Sequence, residues 1–66
     1  MNISVNGEPR ELDANVTLGA LVDAEVADRR GVAIAVDGEV VPRNDWDDTT
    51  LHDGAQVEIV GAVQGG

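Results

Sequence analysis

The chain has 66 residues, enough for a single domain but too few for both a core and a roomy enclosed active site, so a binding module or carrier is expected before an enzyme. It contains no cysteine, which excludes disulfides, a thiol nucleophile and cysteine-based metal sites. Thirteen acidic residues stand against four arginines and no lysine, for a formal net charge of -9; this argues against nucleic acid and anionic membrane as partners and against any lysine isopeptide bond onto this chain.

Residues 1–5 alternate apolar and polar, so Met1, Ile3 and Val5 should share one face of a strand. Asn6-Gly7 predicts a two-residue hairpin turn, because both positions must accept positive φ. The return strand spans Glu8 to Leu12, and Pro9, lacking an N–H donor, assigns it to a sheet edge. Thr17 is the expected N-cap of a helix whose apolar stripe is Leu18, Leu21, Val22 and Val26, with Gly19 permitting close packing. Asp28-Arg29-Arg30-Gly31 is expected to end that helix, with the arginines at its negative pole and Gly31 as a left-handed cap.

Val32 to Val36 is a continuous apolar run, which predicts a strand covered on both faces. Asp37-Gly38 forms a second tight turn, followed by a short strand Glu39 to Val41 that Pro42 stops. Residues 43–54 are polar and turn-rich, with a short helical turn expected near Arg43 to Trp46. Trp46, the sole aromatic residue, is expected as a lid over one end of the core. Gln56 to Val63 is the last strand, with Val57, Ile59 and Val63 on one face and Glu58, Val60 and Ala62 on the other.

The order strand, strand, helix, strand, strand, strand places the chain in the α+β class. Strands 1 and 5 parallel at the centre of a mixed five-stranded sheet, packed on one helix, is the β-grasp solution. The domain is expected to cover residues 1–63, with 64–66 as a flexible C-terminal diglycine tail. No apolar run approaches the roughly 20 residues of a membrane span and no signal-peptide pattern opens the chain, so a soluble, cytoplasmic protein, monomeric when free, is expected. His52 has no Ser, Cys or second His near it in sequence to make a nucleophile–base pair and is expected as a loop residue. Asp45, Asp47, Asp48 and Asp53 do not match the spacing of an EF-hand. No glycine-rich phosphate loop is present, so no cofactor is expected on this chain.

Chemistry is expected at Gly65 and Gly66. Glycine has no Cβ, so a pair of them makes the thinnest chain and bends freely, which suits a carboxylate that must thread a narrow channel to be activated. Beside it, Val60, Ala62, Ala33 and Ala35 are expected to face outward together as a small apolar docking patch.

The stretch from Gly31 to Arg43, then Trp46, Asp53-Gly54, Val57 to Val60 and Ala62 to Gly66 resembles the ThiS family, the ubiquitin-like sulfur carriers of thiamin (thiazole) biosynthesis. Val40-Val41-Pro42-Arg43, with Trp46 three residues later, is more specific than the terminal diglycine. Asp37, where Asn is more usual, and Ala55, where an acidic residue is common, are mild departures away from the working end. The resemblance implies that a ThiF-like adenylating enzyme, which binds the ATP, joins Gly66 to AMP. A sulfur donor such as a cysteine desulfurase or a persulfide protein then converts Gly66 to a thiocarboxylate. That group donates its sulfur to a ThiG-like thiazole synthase. The chain is then a co-substrate and not an enzyme. Alternatives are a carrier for another acceptor (molybdopterin, cysteine or a thiosugar), a ubiquitin-like protein modifier, or a purely structural domain.

Overall fold

The computed structural model describes residues 1–61. Strand β1 (Asn2–Val5) turns through Asn6 and Gly7, both at positive φ, into β2 (Glu8–Glu11). Helix α1 (Leu18–Glu25) follows, then β3 (Val32–Val36), a turn through Asp37 and Gly38 at positive φ, and β4 (Glu39–Val40). A 3-10 helix (Arg43–Asp48) leads to β5 (Gln56–Gly61). The strands form one sheet in the order β2-β1-β5-β3-β4. Only β1 and β5 run parallel, with Val5 beside Val57; the other neighbours are antiparallel. This is the β-grasp arrangement, and the edge position of β2 accommodates Pro9.

One face of the sheet carries the core. Ile3, Val5, Ile34 and Val57 meet Leu18, Leu21 and Val22 of α1, and Trp46 fills the remaining space at 1% exposure. The Trp46 indole Nε1 donates to the Val41 carbonyl at 2.8 Å, so its one polar atom is satisfied inside the apolar cluster. Thr17 caps α1 as expected, its hydroxyl accepting from the Ala20 N–H at 3.1 Å. The Leu18 N–H donates to Thr49 and the Leu51 N–H to Val16, which ties the helix start to the segment entering β5. No helix among the described residues is long and apolar enough to cross a membrane.

Two expectations are corrected. The helix ends at Glu25, with Val26 as an extended cap, and has no basic residue in its last turn. Gly31 does adopt positive φ, but six residues beyond Glu25, the end of the helix. Arg29 instead folds back along the helix, where its guanidinium donates to Asp23, Asp47 and the Gly19 carbonyl and lies 5.7 Å from the Trp46 ring centroid. Two carboxylates, a carbonyl and an aromatic face offer it more than the partial charge of a helix end. The second correction concerns β3. Its continuous apolar run is covered on one face only: Ile34 is buried while Ala33 is exposed and Ala35 half-buried. The fold has a single helical layer, and alanine is small enough to stand on the open face at little cost.

Candidate functional site

The site is built at the C-terminal end of the described part of β5. Asn6 marks the last rung between β1 and β5. Its backbone N–H donates to Val57, and its side-chain amide then accepts from the Ile59 N–H at 2.9 Å and donates to the Ile59 carbonyl at 3.2 Å. A side chain thus stands in for one further residue of strand, possible because Asn tolerates the left-handed φ of 52° that the hairpin requires. Beyond that rung β5 is held by β3 alone, with Val60 opposite Ala33 and Gly61 opposite Val32. Gly61, the last described residue of β5, therefore lies beside the start of β3.

The open face of the sheet at this end is apolar. Val60 is 62% exposed and faces away from the core, and its direct neighbour Ala33 is exposed beside it. Ala35 lies on the same face between Glu58 of β5 and Val40 of β4. The structure thus brings together three of the four residues expected in the patch: Val60, Ala33 and Ala35. Ala62, Gly65 and Gly66, like the expected extension of β5 to Val63, lie outside the described residues.

Val40 belongs to this face and was missed. It is 75% exposed, the most exposed large hydrophobic side chain among the described residues. The signal was available, because a two-residue Asp37-Gly38 turn pairs Val36 with Glu39 and Ala35 with Val40, which puts Val40 on the face of Ala35.

At the opposite end of β5 the supposedly isolated His52 has partners. Its Nε2 lies 2.7 Å from Asp37 Oδ2 and its Nδ1 2.8 Å from the Asp53 carbonyl oxygen. Both ring nitrogens face acceptors, so the imidazolium, which donates from both, fits best. Hydrogen bonding to Asp37, then to the Asp53 carbonyl, raises the His52 pKa, and the same bond to His52 is the main cause lowering that of Asp37. The other Asp37 oxygen accepts from the Gln56 N–H at 2.9 Å, so the pair secures the point where β5 begins. Asp53 itself accepts from the Asn2 N–H and Asp47 pairs with Arg29, which accounts for two of the loop carboxylates structurally. Among the described residues there is no cavity and no group of three or more ligating side chains fit for a metal.

The ThiS family model matches residues 3–66. The chain belongs to the ThiS family. It is 36% identical over 62 residues to the sulfur carrier protein ThiS of Thermus thermophilus, covering 94% of this chain and 95% of that one. It is also 35% identical, over its whole length, to part of a thiazole synthase of Paramagnetospirillum magneticum, and spans 20% of that protein. A crystal structure of the thiamine biosynthesis protein ThiS from Geobacter metallireducens superposes with a TM-score of 0.83 at 36% identity, with full coverage of both chains. A solution structure from the same organism gives 0.80 at 36% identity, covering 100% of this chain and 88% of the other. In this ThiS-family chain the open sheet face and the C-terminal end of the described part of β5 are therefore the places to seek its function.

Proposed function

We propose that this chain is a sulfur carrier for thiazole formation in thiamin biosynthesis, with the carboxylate of Gly66 as the group that is activated. The observation that carries the reading is the family match through residue 66 together with near-complete coverage of a ThiS carrier. A free carboxylate is a poor electrophile. One of its oxygens attacks the α-phosphorus of ATP bound by a ThiF-like enzyme, pyrophosphate leaves, and Gly66 becomes an acyl adenylate. The terminal sulfur of a persulfide, carried by a cysteine desulfurase or persulfide protein, attacks the carbonyl carbon; the C–S bond forms, the C–O bond to AMP breaks, and an acyl disulfide joins the two proteins. A second thiol then reduces its S–S bond, which leaves the thiocarboxylate on Gly66 and a disulfide on the donor side. Gly65 and Gly66 let the activating site close around that carbon without a Cβ in the way.

A ThiG-like synthase as acceptor is supported by the thiazole synthase relative, within which a segment matches this chain end to end. The open face of Val60, Ala33, Ala35 and Val40 is the surface on which these enzymes dock. This chain acts as co-substrate, and the nucleotide stays with its partner.

The test is the intact mass of the protein after incubation with a ThiF-like enzyme, ATP and a sulfur source. The expected product is the same chain with one oxygen replaced by sulfur. Replacing Gly66 with Ala should slow its formation and deleting Gly66 should abolish it. A ladder of conjugates to other proteins, or a product that survives the deletion, overturns the proposal.

A further inference from the structure

Arg43 stands apart from the other arginines. Arg10 pairs with Glu8 and Glu25, Arg29 with Asp23 and Asp47, and Arg30 with Asp28. Arg43 has no ion pair among the described residues, although the chain carries 13 acidic side chains. It is exposed and sits on a firm support: Pro42 precedes it, the Pro42 carbonyl accepts from the Asp45 N–H, and Trp46 is buried three residues on.

Its place in the fold is the end of the sheet where Gly61, the last described residue of β5, lies opposite Val32. The Val41 N–H donates to Ile34, so the chain runs along β3 toward Val32, the residue opposite Gly61. Arg43 also lies close enough to Asp28, just before β3, to add to the lowering of that carboxyl by Arg30. A cation without an ion pair among the described residues, in a strongly acidic chain and beside the last described residues of β5, is placed to meet something outside the chain.

We propose that Arg43 is a docking cation that pairs with a carboxylate on the surface of the enzyme that receives the tail. This rests on the carrier reading above. The guanidinium fork fits carboxylates and phosphates alike. A nucleotide joined to Gly66 sits at the tip of a tail that can extend up to about 17 Å from Gly61, whereas Arg43 stays on the body of the carrier and faces the enzyme surface around the tail's entrance. A side-chain carboxylate on that surface is the partner proposed, and the nucleotide is the alternative that the KM for ATP reports.

The test is steady-state pyrophosphate release by the cognate ThiF-like enzyme, with carrier and salt varied, for the wild type, R43E and R43K. R43E should raise the KM for carrier about five- to tenfold at low salt and leave kcat unchanged, R43K should recover most of the loss, and salt should narrow the difference. An unchanged melting temperature for R43E confirms that folding is intact. An unchanged KM, a fall in kcat alone, or a shift in the KM for ATP instead overturns the Arg43 proposal while the wild-type adduct keeps the carrier reading standing. No pyrophosphate release and no adduct on the wild type removes the carrier reading, and the Arg43 proposal with it.

Discussion

Trp46 contributes more to this small core than any other side chain. It is the largest of the fully buried residues, its indole N–H is matched to the Val41 carbonyl, and Arg29 lies over its ring. Trp46→Ala should cost about 3–5 kcal/mol, as much as a domain of this size has, so the variant should be unfolded by circular dichroism. Trp46→Phe keeps an aromatic ring but loses part of the indole's volume and leaves the Val41 carbonyl without its donor, and should cost about 1–3 kcal/mol in urea titration. Gly19 belongs to the same region. A Cβ built there collides with Asp47 Oδ1 and comes within 2.9 Å of Arg29 Nη2, so a side chain there must displace the tips of both. His52 supplies a pH dependence. Its folded pKa lies above the ordinary 6.5, so its contribution to stability is complete below that value and disappears as pH rises through the folded pKa. The lowered pKa of Asp37 sets the acid side: that contribution is present above 3.8 and is lost as pH falls through the folded value. NMR titration of the imidazole should show a midpoint above 6.5 that moves back toward it in Asp37→Asn; an unshifted midpoint in the wild type would show that the pair does not form in solution.

At the scale of elements, α1 is too short to persist alone, since helices under about 12 residues are marginal in water. It depends on its cap and on the apolar face it presents to the sheet. Thr17→Ala removes the acceptor for the Ala20 N–H and should lower stability by about 1 kcal/mol, measured as a fall in melting temperature. The strands and turns were legible because their rules are local. Asn6-Gly7 and Asp37-Gly38 adopt the positive φ that two-residue hairpins need, and Pro9 lies in an edge strand. The helix end was misread because a glycine and two arginines are a cap signal only where the helical pattern reaches them. Here the periodic apolar residues stop at Val26, and Arg29 finds better partners in space than the helix terminus.

For the whole molecule, the decisive feature is that one sheet has two unlike faces. The core face is closed by α1 and Trp46, whereas the other carries Val60 and Val40 in the open. Replacing Val60 with Asp should leave the melting temperature nearly unchanged, because the side chain is 62% exposed. It should weaken use of the chain by its adenylating partner about tenfold, read as a rise in KM, if this face is the docking surface. Equal KM values for the two proteins would remove the face from the proposal. Alternation along β5 already pointed Val60 outward and Ala33 beside it; Val40 required the exact pairing across the second hairpin.

The sequence alone determined the elements, the two hairpins, the edge strand and the family, because periodicity, turn chemistry and motif spacing are written along the chain. It also placed the expected chemistry at the diglycine. Only the tertiary structure decided which apolar strand faces remain open, that Asn6 completes the sheet with its side chain, that His52 meets Asp37, and that Arg43 alone of the arginines lacks an ion pair among the described residues. These depend on residues far apart in sequence sharing a few ångströms of space, and that sharing is set by how strands and helix pack and not by any local preference of the chain.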